Sequence, residues 1–251
     1  MTRLLRPAAL ATLMAPVVLA LAACGSDNDA AATQNAGPIA AIAPPAGKQW
    51  SEVISVTDED GYRIGNPDAP LKLVEYASLT CPHCAHFSEE AGGALRDKYV
   101  ASGVVSYELR NQVHDGLDLT LAMLVRCGTP ESYPALSEQV WANLQDIVKG
   151  VQANSAKVEA AMKQTDQTTR YKTIADAGGL TDFFAARGIS REQSATCLAK
   201  PGFAEGIVNR SETQSEELGI EGTPTFLLNG RKLDEQSWDK LEPVLQNAGA
   251  R

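Results

Sequence analysis

Leu71-Lys72-Leu73-Val74-Glu75-Tyr76-Ala77, followed after Ser78-Leu79-Thr80 by Cys81-Pro82-His83-Cys84, is the stretch that decides how the chain is read. Two cysteines two residues apart close a disulfide only where the backbone turns tightly, as it does on entering a helix. Pro82 suits the first helical position, where its fixed φ is pre-organised and no N–H is needed. Cys81 then becomes the N-cap, with its sulfur over unpaired backbone N–H groups at the positive end of the helix dipole. Such a setting lowers a thiol pKa from its free value of about 8.5, so Cys81 is expected to be a thiolate at neutral pH. The heptapeptide reads as a buried strand, and Phe87, Ala91, Leu95 and Tyr99 recur behind the motif at helical spacing. Strand, Cys-x-x-Cys, helix is the context in which this motif signals redox chemistry. A zinc site helped by His83 and His86, or a merely structural disulfide, are the alternatives. The usual zinc sites supply a second ligand pair at matching spacing, and the sequence has no second Cys-x-x-Cys or further His pair.

The 251 residues suffice for one large domain or two small ones, and 44% hydrophobic residues suffice for a core. Residues 1–23 are set apart from that core. Arg3 and Arg6 precede an apolar run from Ala8 to Leu21 that ends in small residues, the pattern of a secretory signal peptide. The ending Leu21-Ala22-Ala23-Cys24-Gly25 resembles the bacterial lipobox, which makes Cys24 the expected lipidated first residue of the mature chain; ordinary cleavage nearby is the alternative. Acyl chains contribute about 0.8 kcal/mol per buried CH₂, so two or three of them anchor firmly. Gly25 rather than Asp follows the cysteine, which leaves inner and outer membrane both open. Cleavage removes Arg3 and Arg6 and no acid, taking the formal charge from −9 to −11. An acidic chain of this kind is not expected to bind nucleic acid, and the charge serves solubility. Besides Cys24 and the Cys81/Cys84 pair, Cys127 and Cys197 remain, the even number that an oxidising compartment favours.

From residue 24 to residue 47 the chain is rich in Ala, Asn, Pro and Gly without apolar periodicity, and a flexible tether is expected there. Val53-Ile54-Ser55-Val56 is a candidate edge strand, and Tyr62 to Pro67 leads into the strand from Leu71. Gly92-Gly93 inside the helix predicts a kink or close packing, since each glycine costs up to ~1 kcal/mol relative to alanine. Val104 to Leu109 alternates and is β-branched, hence a strand. Helices are then expected over 118–126, 133–148, 155–162, 168–177, 181–187, 191–198 and 203–218, with Ser190 as a cap and Gly188 as a stop. The polar stretch 145–177 is expected on the surface. Thr225-Phe226-Leu227-Leu228 is a strand, Asn229-Gly230 a hairpin turn into Arg231-Lys232-Leu233, and Gln236 to Asn247 a last helix. A strand–helix–strand half and a strand–strand–helix half thus flank a helical insertion. The fold class is α/β, a thioredoxin-like fold with a central mixed sheet. Residues 48–112 and 215–251 form that domain, and residues 113–214 an all-helical insertion domain.

Two further elements complete the candidate site. Gly222-Thr223-Pro224-Thr225 stands directly before the returning strand, where a proline is tolerated. Glu75 lies within an otherwise apolar strand six residues before Cys81. Pointing beneath the cysteines, it would have a raised pKa and could shuttle a proton for Cys84; pointing outward, it would be a surface residue at the strand's rim.

Val74-Glu75-Tyr76, Cys81-Pro82-His83-Cys84 and Gly222-Thr223-Pro224-Thr225-Phe226 together resemble the DsbA-like thiol:disulfide oxidoreductases of the bacterial envelope, over about residues 50 to 250. The resemblance implies Cys81 as the attacking thiolate, Cys84 as the resolving thiol, and Pro224 as a cis proline facing them, with Pro82 and His83 between the cysteines tuning Cys81. It implies no cofactor and no metal. Partners would be unfolded or extended exported proteins carrying free thiols, paired strand-like beside Pro224, and a membrane redox partner that reoxidises the enzyme. A monomer on the periplasmic side, lipid-anchored, is expected. Thr223 stands where the best-known oxidases of the family carry Val, and the lipobox and tether are not general family features. Cys127 and Cys197, both in the insertion, are expected to form a structural disulfide; two unpaired buried thiols are the alternative. His86 and His114 read as rim residues. An oxidase that donates disulfides is the first reading. An isomerase or reductase of the same fold is the second, and a thioredoxin-fold binding or metal-chaperone module the third.

Overall fold

A computed structural model describes residues 37–251; Cys24 and the signal segment lie outside the described residues. β1 (Ile54–Val56), β2 (Tyr62–Ile64) and β3 (Leu71–Ala77) lead into helix α1 (Pro82–Ala94), which returns the chain to β4 (Val105–Asn111). Eight helices follow: α2 (Gly116–Val125), α3 (Tyr133–Ala142), α4 (Leu144–Ala153), α5 (Ser155–Met162), α6 (Gln167–Ala177), α7 (Leu180–Ala185), α8 (Arg191–Leu198) and α9 (Phe203–Leu218). The chain closes with β5 (Thr225–Leu228), β6 (Arg231–Lys232) and α10 (Trp238–Asn247). Among the described residues the strands form one mixed sheet in the order β1-β2-β4-β3-β5-β6, with β3 and β4 parallel and the other pairs antiparallel. The parallel pair requires a crossover, and α1 supplies it. The β5–β6 hairpin turns through Asn229 and Gly230, both with positive φ (51° and 81°), as a two-residue turn of this type demands.

One face of the sheet packs on α1 and α10. Leu71, Leu73, Phe87, Ala91, Leu95, Phe226, Leu241 and Leu245 share a core there, with the Phe87 and Phe226 rings 4.5 Å apart. A second core runs from Ala77, Leu79, Cys84 and Leu109 into α2, whose residues 118–125 are all buried, and on to Ile174, Leu180 and Phe184. The insertion therefore shares its hydrophobic core with the sheet, and the described residues make one compact unit rather than a domain with a separate appendage. Arg126 at the end of α2 reinforces the join. Its buried guanidinium pairs with Asp60 at 3.0 Å, donates to Asn111, and lies over the stacked rings of Tyr62 and Tyr133.

Several expectations need correction. The tether does not run free to Gly47. Ile39 donates its N–H to the Gly249 carbonyl (2.9 Å), Ile42 to that of Ser102 (2.8 Å), and the Trp50 indole to that of Ile42 (2.7 Å). Gly103, at φ +72°, makes room for this strap, because a Cβ there would fall 2.6 Å from the Ile42 carbonyl oxygen. Single backbone hydrogen bonds and the Trp50 indole, not a periodic apolar pattern, hold the segment down. The single helix expected over 133–148 breaks at Asn143, whose side chain takes the Gln139 carbonyl (2.8 Å) in competition with the helix backbone. Residues 145–177 are not merely surface: Ile147, Ala161, Tyr171, Ile174 and Ala175 are buried, a narrow apolar stripe in a polar sequence. Gly92 and Gly93 face open space, so close packing does not explain them; instead the helix widens into a π-helical turn over Leu95–Val100.

Candidate active site

Cys81 caps α1 in extended conformation (φ −81°, ψ 121°), and Pro82 begins the helix. The residue is 8% exposed, whereas Cys84, one turn in, is fully buried. The two thiols differ in chemistry as they do in position. Cys81 is pulled down to about 5, first by a hydrogen bond from Cys84, then by the Thr223 side chain and the backbone N–H groups of Cys84 and His83, against an opposing push from burial. Cys84 is driven far upward by burial, by its bond to Cys81 and by the charge of Glu75. One sulfur is held as a thiolate and the other as a thiol.

The strand before the motif supplies the carboxyl. Glu75 is 1% exposed and sits on the face of β3 that α1 covers, paired in register with Phe226 of β5. Burial pushes its pKa up to about 8, a hydrogen bond from the Tyr107 hydroxyl opposes the rise, and the charge of Cys81 adds to it. Tyr107 donates to Oε2, while Oε1 is buried with no partner.

Across the motif lies the loop 222–225, with a cis peptide bond between Thr223 and Pro224. The Thr223 carbonyl oxygen is 3.3 Å from Cys81 Sγ and accepts from the thiol; the Thr223 hydroxyl is buried without another partner and is free to serve the thiolate. Thr225 closes the loop by donating to the Gly222 carbonyl (2.7 Å). His83 and His86 are exposed and line a groove with Phe87, Pro224 and Lys240, and His86 pairs with Glu90 at 3.4 Å. His114 does not line that groove; its backbone N–H donates to Asp118.

Residues from the insertion hold the approach to Cys81, and sequence reasoning missed them. Asp118 is 1% exposed; its Oδ1 accepts from the Leu79 N–H (2.8 Å) and its Oδ2 from the His114 N–H (3.0 Å), while burial pushes its pKa up to about 6. Trp141 of α3 donates its indole N–H to the Ser78 carbonyl at 3.0 Å. The one signal for Asp118 was redundancy. Asp115 already caps α2 through the N–H groups of Leu117 and Asp118, which leaves the second acid free for another task. Cys127 and Cys197 are bonded to each other, with Cα atoms 5.7 Å apart, joining the end of α2 to α8.

A family model described as thioredoxin matches residues 57–247, three quarters of the chain and every element of the site. The chain belongs to the thioredoxin family. A protein-disulfide isomerase from Novosphingobium aromaticivorans is similar in structure, with 31% identity and a TM-score of 0.70 over 75% of this chain and 97% of that one. Wolbachia pipientis alpha-DsbA1, at 22% identity and a TM-score of 0.59 over 75% of this chain and 90% of that one, shares the fold. Among curated proteins, a candidate protein-disulfide oxidoreductase of Rickettsia bellii is 25% identical over 195 residues, 76% of this chain. The match spans 65% of that relative's length.

Proposed function

We propose that this chain is a thiol:disulfide oxidoreductase of the DsbA type that donates the Cys81–Cys84 disulfide to exported proteins. The observation that carries the reading is the opposite displacement of the two thiols in one motif, Cys81 down to about 5 and Cys84 far upward. A substrate thiolate attacks Cys81 Sγ, the Cys81–Cys84 bond breaks, and Cys84 leaves as a thiol. Its proton comes from Glu75, which is protonated at neutral pH with a pKa of about 8. A second substrate thiolate then attacks the substrate sulfur of the mixed disulfide and expels Cys81 as a stabilised thiolate. The substrate is reduced at the start and oxidised at the end, while the enzyme takes up two electrons. Reoxidation by a membrane redox partner runs these steps backward, with Glu75 accepting the Cys84 proton. Extended clients lie beside Pro224, whose loop offers backbone to a strand. His83 tunes Cys81 through its N–H, and Pro82 sets the start of the helix.

Alkylation of reduced protein as a function of pH tests the direction of the reaction. Cys81 is expected to react with a midpoint near 5; a midpoint near 8.5 would replace the oxidase reading with a reductase. Cys81→Ser should abolish exchange, and Cys84→Ser should trap mixed disulfides with clients. An isomerase is the second reading, favoured by the isomerase from Novosphingobium aromaticivorans and by Thr223 beside Pro224. Recovery of scrambled, fully oxidised substrate faster than oxidation of reduced substrate would select it.

The protein acts as a lipid-anchored monomer facing the periplasm, held through Cys24. Among the described residues no helix is long and apolar enough to cross a membrane. Membrane fractionation checks the anchor: Cys24→Ala should release the protein or block its processing, and a mature N-terminus other than Cys24 would discard the idea.

A further inference from the structure

Glu75 can act on Cys84 only if its carboxyl is turned the right way, and something other than the cysteines turns it. On β3 its neighbours Val74 and Tyr76 lie on the opposite face, and Phe226, paired with it on β5, is apolar. From α1 the titratable groups facing it are Cys81 and Cys84. From β4 there is Tyr107, in register with Leu73 two residues earlier on β3, so the tyrosine reaches diagonally across the parallel pair to the carboxyl. Glu75 is buried and Tyr107 half-buried beside it, and the tyrosine hydroxyl has one acceptor, Glu75 Oε2. The other oxygen, Oε1, has none. A buried carboxyl oxygen that no other group engages is open to a neighbouring donor.

We propose that Tyr107 is a positioning residue for the Cys84 step: by occupying Glu75 Oε2 it leaves Oε1 as the oxygen that exchanges a proton with the Cys84 thiol. This rests on the reading of Glu75 as the acid–base group of Cys84. The step balances as follows. The Cys84 S–H proton passes to Oε1, the Cys84 sulfur attacks Cys81 Sγ in a mixed disulfide, the intramolecular S–S bond forms, and the partner leaves as a thiolate. Tyr107 keeps its own proton throughout. Its hydrogen bond favours the ionised carboxylate, so it keeps a larger fraction of Glu75 deprotonated and able to accept the Cys84 proton. Tyr107 also lines a small cavity with Arg96, Glu138 and Trp141, and Glu138 is the charged group that acts on it from α3.

The test follows the Cys81–glutathione mixed disulfide of the full chain as it collapses to the Cys81–Cys84 disulfide, by rapid quench and mass measurement from pH 5 to 10. Wild type, Tyr107→Phe, Glu75→Gln and the double variant are compared. Tyr107→Phe removes one oxygen and preserves the ring. It should shift the pH midpoint of collapse upward and slow the step at pH 7, about tenfold for each pH unit of the shift. Alkylation of Cys81 should keep its wild-type pH midpoint, which a general loosening of the site would not allow. The double variant should be no slower than Glu75→Gln alone, because Tyr107 acts through that carboxyl. If Glu75→Gln slows collapse but Tyr107→Phe leaves both rate and midpoint in place, or the two losses multiply, the positioning role is overturned and the Glu75 reading stands. If Glu75→Gln itself collapses at the wild-type rate, both fall.

Discussion

The two cysteine pairs of this chain are made by opposite means. Cys81 and Cys84 are three residues apart on one helical turn, in a site that pulls one thiol down and pushes the other up. Cys127 and Cys197 are 70 residues apart, joining the end of α2 to α8, and their bond closes a long loop through the insertion. A disulfide over so long a loop stabilises mainly by restricting the unfolded chain, and its surroundings need only leave it alone. One over so short a loop gains little from chain entropy and takes its character from what stabilises the reduced form, which is where Thr223, Glu75 and the helix N-terminus act. Loop length thus separates a bond that is kept from one that is given away.

Breaking the long-range pair should produce the largest change in stability. The loop-entropy relation gives about 4 kcal/mol for a separation of 70 residues. Cys127→Ala with Cys197→Ala should lower the urea midpoint accordingly, while single-turnover exchange at Cys81 keeps its rate. A loss of catalytic rate larger than the loss of folded fraction would show that the two pairs communicate, and the contrast would fail.

Much of this contrast was legible in the sequence: local chemistry announces Cys81 and Cys84, and Cys127 and Cys197 are the pair left over once these and Cys24 are set aside. Pro82 between the cysteines fixes the helix start, and the spacing of Phe87, Ala91 and Leu95 fixes the face it buries. β3, α5, α8, α9 and β5 begin and end where their caps and turn residues place them, and Ser190 accepts the Gln193 N–H as an N-cap should. What stayed hidden depends on register between distant segments. Tyr107 is one more alternating residue until β4 is laid parallel to β3, and only then does its hydroxyl meet Glu75. Asp118 looks like an acid in the first turn of a helix until α2 is set against the Leu79 N–H. The strap over residues 39–50 carries no periodicity at all, and its hold comes from single carbonyls and the Trp50 indole. The break at Asn143 is a contest between a side-chain amide and one helical hydrogen bond, too small to read from composition.

The redox half carries a built-in penalty that the structural half lacks, and removing it should stabilise the protein. The folded Glu75 carboxyl has its pKa raised from 4.5 to about 8. The native state therefore holds a proton between those values that the unfolded chain has released, and wild-type stability falls as pH rises through that window. Glu75→Gln removes the charge and retains an oxygen for Tyr107. Its advantage should be absent below pH 4.5, of the order of 3 kcal/mol at pH 7, and level above pH 8. Denaturant unfolding of the oxidised protein at pH 4, 7 and 9 reads it without interference from the thiols, and leaves burial, the largest cause of the raised pKa, in place when the Cys81 charge is gone. An advantage independent of pH would mean that the gain is one of packing.

The smallest expected effect asks whether the insertion merely supports the redox turn or also tunes it. Trp141 of α3 reaches the Ser78 carbonyl, three residues before Cys81, with its indole N–H at 3.0 Å. That carbonyl also accepts from the Cys81 N–H at 3.3 Å. Trp141→Phe consequently does not orphan the oxygen, and the loss is one neutral hydrogen bond together with the volume of the missing ring, about 1–2 kcal/mol in all. The groups that hold the Cys81 thiolate are Cys84, Thr223 and the N–H groups of the helix start, and none of them touches the indole N–H. Thermal unfolding should therefore fall by a few degrees while the alkylation midpoint of Cys81 stays near 5. A midpoint displaced upward in Trp141→Phe, with folding intact, would make the insertion part of the electrostatic machinery. The geometry of the turn, set by Trp141 and Asp118 from outside, would then share control of the thiolate with the residues that contact it.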